Sequence, residues 1–123
     1  MDNMKQHTLR RPPRETPDVY ATDDVEIQDK IVYAHYFISG TDIDYYVLEY
    51  DREHDEIFCW AELIPDMGEL GYSSLRDLEM TVLTIPVNIG NTTYKLPARF
   101  ELDLYWEKTS LGKVLELREK RSA

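Results

Sequence analysis

Between Tyr45 and Leu78 the chain carries its strongest local instructions: a strand, a charged turn, a second strand, a glycine-bounded turn and a short capped helix. Tyr45-Tyr-Val-Leu-Glu-Tyr50 is rich in aromatic and β-branched residues, which suit a pleated, half-buried surface. Alternation sends Val47 and Glu49 one way and Tyr46, Leu48 and Tyr50 the other. Asp51 to Glu56 is polar throughout, and Ile57 to Ile64 resumes strand composition, so the two runs predict a hairpin. Pro65 has no N–H to give a ladder and closes the second strand. Gly68 and Gly71 bracket Glu69-Leu70 as a turn, where positive φ is cheap for glycine. Ser74 then caps a short helix near 74–80 by accepting from the N–H of Asp77, with Ser73 as the alternative cap. Leu75 and Leu78 lie three apart and share the face that meets the sheet.

The flanks extend this pattern. Lys30 to Ile38 predicts a strand, and Ser39 to Asp44 a turn, so residues 30–64 read as a three-stranded antiparallel meander. Thr22 to Asp29 alternates weakly and fits either an edge strand or a short helical turn. Beyond the helix, Met80 to Ile85 and Thr92 to Leu96 flank Asn88-Ile-Gly-Asn91 as a second hairpin, which Pro97 ends. Phe100 to Trp106 alternates strictly and predicts another strand. Residues 109–112 turn, and Val114 to Lys120 is a short strand or a frayed helix. The expectation is one α+β domain: a mostly antiparallel twisted sheet of about five to six strands with one short helix. Its body spans 18–112. Residues 1–17, with Pro12, Pro13 and Pro17, are expected to be a flexible basic arm, and 113–123 a basic tail.

Charge is distributed unevenly. From Asp18 to Glu69 there are fifteen Asp and Glu against Lys30 and Arg52, in a chain whose net charge is −10. Such a body repels nucleic acid and is attracted to basic protein surfaces. No run of apolar residues is long enough to span a membrane, and no apolar segment follows the basic N-terminal residues as in a secretory signal. Cys59 is the one cysteine, so no internal disulfide forms; it reads as a small buried hydrophobe in a reduced, cytoplasmic setting.

Tyr50-Asp-Arg-Glu-His-Asp-Glu-Ile-Phe58, followed by Glu69-Leu-Gly-Tyr-Ser-Ser-Leu-Arg-Asp-Leu-Glu79, resembles the bacterial, plasmid and phage family called domain of unknown function 2958. The family's pattern is an acidic turn, a strand, a glycine-containing turn, Glu-Leu-Gly-x-x-Ser-Leu-x-x-Leu, and a later Glu-Arg-Asp-x-x-aromatic segment. Glu101-Leu-Asp-Leu-Tyr-Trp106 stands in the last place, with Leu102 where the pattern has arginine. Residues 1–40 do not follow the family. The resemblance covers roughly half the chain and is carried by short motifs. It implies a fold and a mobile-element setting, and it supplies no activity and no catalytic residues.

Motifs for chemistry are sparse. Asp51, Glu53, Asp55 and Glu62 match part of a calcium-loop spacing, but Glu56 replaces the glycine that loop needs and strands replace its helices. His7, His35 and His54 lie on a tail, a strand and a turn, with no evident shared carboxylate; His35 reads as a packed residue. No nucleophile–base order, phosphate loop or paired-cysteine spacing is present. These readings lean away from an enzyme and expect no metal and no cofactor. The nine tyrosines read as half-buried strand residues or as contact area on an interaction face.

Three functions are compatible with this pattern. The first is an acidic protein-binding module that docks on a basic, nucleic-acid-handling protein, as a DNA-mimicking inhibitor of a host defence nuclease would. The second is a structural or accessory assembly protein of a phage or plasmid, and the third a metal-dependent hydrolase using carboxylates. On the first, Asp42, Asp44, Glu49, Asp51, Glu53, Asp55 and Glu56 are expected to form one negative face near one end of the sheet, with Tyr45 and Tyr50 adding contact area. No direct nucleic-acid or membrane partner is expected.

Overall fold

A computed structural model describes residues 7–122. The fold is α+β and mostly antiparallel. In chain order the strands and helices are β1 (Ile31–Val32), β2 (Ala34–Ile38), β3 (Asp44–Asp51), β4 (Glu56–Ile64), β5 (Met67–Ser74), α1 (Leu75–Met80), β6 (Leu83–Ile89), β7 (Thr92–Ala98), β8 (Phe100–Leu102), β9 (Thr109–Ser110) and α2 (Leu111–Ser122). The central sheet runs β5-β4-β3-β2-β8, antiparallel at every step.

The sheet is apolar on both faces, and each face has its own cover. Ala34, Tyr36, Val47, Ile57, Cys59 and Phe100 face one side, where Leu75 and Leu78 of α1 and Leu9 close over them. Tyr46 and Leu48 face the other side, against Val32, Leu111 and Val114. A register shift between Val47 and Glu49 puts Leu48 and Glu49 together on this second face. The Ser74 cap forms as expected, accepting from the Asp77 N–H at 3.2 Å. Cys59 is buried, and burial pushes its thiol up to about 12.

Several boundaries differ from expectation. The segment over 68–71 is strand, because Pro65-Asp66 makes the turn instead, with Asp66 at φ 65. Gly68 is there for space, since a Cβ would collide with the Trp60 indole. Residues 83–98 form a ribbon separate from the central sheet. Pro86 and Pro97 sit inside its strands, tolerated because each strand of a two-stranded ribbon has a side where no ladder bond is made. The alternating run 100–106 is strand only to Leu102; the chain then turns, with Trp106 N–H donating to Asp103 O at 3.3 Å. Residues 22–29 end in a 3-10 turn over Ile27–Asp29.

Where they are described, both expected tails lie against the body. Over residues 7–17 the segment lies on the body: Leu9 is 3 % exposed, and the Tyr36 hydroxyl donates to Arg10 O at 2.6 Å. Arg11 bridges Asp55 at 2.6 Å and Glu79 at 2.9 Å. Residues 1–6 lie outside the described residues. The C-terminal segment is a helix of twelve residues, longer than α1. Leu111, Val114, Leu115 and Arg118 fall at helical spacing on its sheet-facing side.

Candidate functional site

The carboxylates expected to share one face are dispersed. Asp42 and Asp44 lie at one end of β3, and Asp51 to Glu56 at the other. An eight-residue strand puts those ends roughly 23 Å apart, beyond two screening lengths at physiological salt. Four of the seven are also engaged. Asp44 binds His35 and Arg118, each at 2.6 Å. Asp55 binds Arg11 and accepts from the Tyr50 hydroxyl at 2.6 Å. Asp51 accepts from the N–H groups of Glu53 and His54. Glu49 is 1 % exposed. Asp42 and Glu53 remain exposed, and Glu56 is half-buried. Tyr45 is half-buried edge-on to Phe100, and Tyr50 is buried with Arg52 over its ring. Burial and then Asp55 push the Tyr50 hydroxyl up to about 12.

The buried Glu49 instead builds a different acidic surface. Its carboxylate accepts from the N–H of Tyr20 at 2.9 Å, the N–H of Thr22 at 3.1 Å and the Thr22 hydroxyl. Lys30, itself buried, donates to that hydroxyl at 2.8 Å and to Thr22 O. Tyr50 N–H donates to Pro17 O, and Leu111 N–H to Lys30 O, both at 2.8 Å. Residues 17–30 are thus a strap pinned at both ends and in the middle. Along it Asp18, Asp23, Asp24, Glu26 and Asp29 are exposed. None of the five makes an ion pair with the described residues. Tyr20, at 67 % exposure, Val25 and Ile27 stand out to solvent among them. Tyr20 also has φ 71, an uncommon conformation for a bulky residue, which the Glu49 bond holds in place.

A second arrangement lies under α2. The β3–β4 register sets Asp44 directly opposite Glu62. Two carboxylates facing across strands repel, and Arg118 answers both. Its Nη1 donates to Asp44 at 2.6 Å and to the Tyr46 hydroxyl at 2.8 Å, while Nε meets Glu62 at 2.5 Å. Burial disfavours the Arg118 charge, but the hydrogen bonds it donates to Asp44 and Tyr46 outweigh that and hold the guanidinium protonated. Asp44 follows the same balance: burial raises it, and bonds from His35 and Arg118 bring it below the usual carboxylate range. His35 places Nε2 at 2.6 Å from Asp44 and Nδ1 at 3.1 Å from Asp103, stacked on Tyr46 with centroids 4.9 Å apart. His35 is packed, as expected; the two flanking carboxylates were missed. The signal for Arg118 was its spacing from Leu111 and Val114, whereas the carboxylates it meets follow from register alone.

This cluster floors a groove of about 900 Å³ between the 103–109 loop and α2. Tyr105 and Trp106 form one wall, with Tyr105 91 % exposed; Val114 and Leu117 form the other. Among the described residues no group of three or more His, Cys, Asp or Glu is placed to hold a metal, and no helix is long and apolar enough to cross a membrane. Comparisons with family models, curated proteins and solved structures find no match.

Proposed function

We propose that this chain is a protein-binding module whose acidic strap docks on a basic, nucleic-acid-handling protein in place of a phosphate backbone. The observation that carries the reading is the strap itself: five exposed carboxylates without ion-pair partners among the described residues, on backbone pinned by buried Glu49. Interleaved Tyr20, Val25 and Ile27 supply apolar contact area, and tyrosine does so at low entropy cost. Unneutralised charge of one sign raises association rates with an oppositely charged partner. The mobile-element setting, and a host defence nuclease complex as the partner, rest on the family resemblance over Tyr50–Glu79. Relative to the sequence reading, the negative surface moves from the hairpin tip to residues 18–29. Asp42 and Glu53 contribute at most from a distance.

The test takes a basic partner, identified by affinity capture and then purified. Asp23→Lys, Asp24→Lys and Glu26→Lys together should slow association about tenfold or more at low salt and flatten the salt dependence. The fold should be unaffected, because these side chains are exposed. Glu49→Ala should also weaken binding, by releasing the strap while leaving its exposed charges in place. Unchanged association and an unchanged salt slope in the triple variant would assign the strap to solubility alone.

A further inference from the structure

We propose that the groove under α2 is a binding site for a planar aromatic anion of nucleotide size, separate from the acidic strap and opposite to it in charge. Charge carries the first half of the argument. The groove is lined by five of the chain's fourteen Lys and Arg residues but only three of its twenty-four Asp and Glu. A body of net charge −10 has therefore gathered cations around this cavity. Of the five, Arg118 is engaged with the floor carboxylates; Lys108 pairs at the surface with Glu15 at 2.9 Å, Lys113 and Lys120 share Glu116 at 3.7 and 3.4 Å, and Arg121 is exposed. They lie on both sides of the opening, Lys108 on the loop and the other three on the helix. Clefts lined by one sign of charge focus their field and raise the local concentration of the opposite ion.

Shape and surface carry the second half. A cavity of about 900 Å³ is within the size range of sites that enclose small organic ligands. An inorganic ion alone would leave most of it to water. Tyr105 projects its ring almost wholly into solvent at the mouth, beside Trp106, and Leu117 faces them from α2. Aromatic and aliphatic walls on either side of a slot suit a flat ring, which stacks on tyrosine without sequence or substituent preference. The same anionic ligand is too small to meet the repulsion that the acidic body presents to a nucleic-acid polymer. The floor is already satisfied, with His35 held by Asp44 and Asp103 and Arg118 by Asp44 and Glu62, so it shapes the site and selects rather than reacts.

The experiment is a titration of the full chain with adenosine monophosphate, followed by backbone amide shifts and by calorimetry. Adenosine and inorganic phosphate serve as the two half-ligands. Saturable shifts confined to residues 103–109 and 113–121 are expected, with each half-ligand weaker than the nucleotide. Tyr105→Ala should weaken the nucleotide about fivefold or more, as loss of a stacking partner does. Lys120→Glu with Arg121→Glu should weaken the nucleotide and phosphate but leave adenosine unchanged. Lys95→Glu, on the exposed ribbon, is the charge control and should change nothing. Three results would each overturn the proposal: no saturation with the nucleotide, phosphate binding as tightly as the nucleotide, or Lys95→Glu weakening binding as much as the groove variants.

Discussion

Arg118 sits where the β3–β4 register has placed Asp44 and Glu62 face to face. Glu62 is 5 % exposed and the Asp44 side chain 16 %, so neither carboxylate can turn to water for relief. Breaking a buried ion pair from one side leaves uncompensated charge, and Arg118→Met should cost about 3–5 kcal/mol in urea unfolding at neutral pH. The pH dependence should become shallower as well. In the wild type, burial raises Asp44 but His35 and Arg118 bring it below the usual carboxylate range. A depressed folded-state value means the contribution is complete above the unfolded carboxylate value, near 3.9, and is lost as pH falls through the folded one. Without Arg118, burial and the facing Glu62 both favour the protonated acid, and His35 alone still holds Asp44 down. The variant should therefore lose less stability on acidification than the wild type over the same range. Parallel acid slopes in the two proteins would show that Arg118 does not control this pair.

At the level of elements, the N-terminal segment behaves as a part of the fold. Its three prolines rule out a helix, but they also reduce the freedom that an extended segment loses on docking. Leu9 supplies the apolar anchor, in the same cluster as Ile57 and Leu78. Arg11 supplies the polar one: burial opposes its charge, and hydrogen bonds to Asp55 and Glu79 more than restore it. Arg52, from the β3–β4 turn, donates to Arg14 O at 2.9 Å and Thr16 O at 3.1 Å. Leu9→Ala should destabilise the whole domain by about 2–5 kcal/mol, the range for truncating a buried leucine. A stability change below about 0.5 kcal/mol, as at a surface position, would return the segment to the status of a loose arm.

For the molecule as a whole, the charge pattern predicts two salt effects of opposite sign. Like charges along the strap and across a body of net charge −10 repel in the compact state. Raising ionic strength from about 10 mM to about 150 mM should therefore raise the thermal midpoint by a few degrees. The same change should weaken docking on a basic partner, because attraction between exposed charges is screened just as repulsion is. Thermal scans and binding kinetics on one salt series give both slopes. A thermal midpoint that falls with salt would mean that the ion pairs at Arg11 and Arg118 outweigh the repulsion.

Local sequence was enough for the elements whose signal is local. The meander of β2, β3 and β4 over 34–64, the hairpin around Gly90, the cap at Ser74 and the burial of Cys59 all follow from alternation, turn chemistry and composition over a few residues, whereas Ile31–Val32 leaves the expected first strand to pair with Thr109–Ser110. Its error over 68–71 was local too, since glycine there reads as a turn until the Trp60 ring beside it is known. The site was legible in its residue types and not in its grouping. Acidic residues are plain to see, but register decided that Asp44 faces Glu62, a strand's length divided Asp42 from Glu53, and packing buried Glu49 beneath the strap. His35 meets Asp103 across 68 residues and Arg118 meets Asp44 across 74. Only tertiary structure decides such pairs, because a side chain's partner across a sheet is set by register and by what covers each face, and neither is written in its neighbours along the chain.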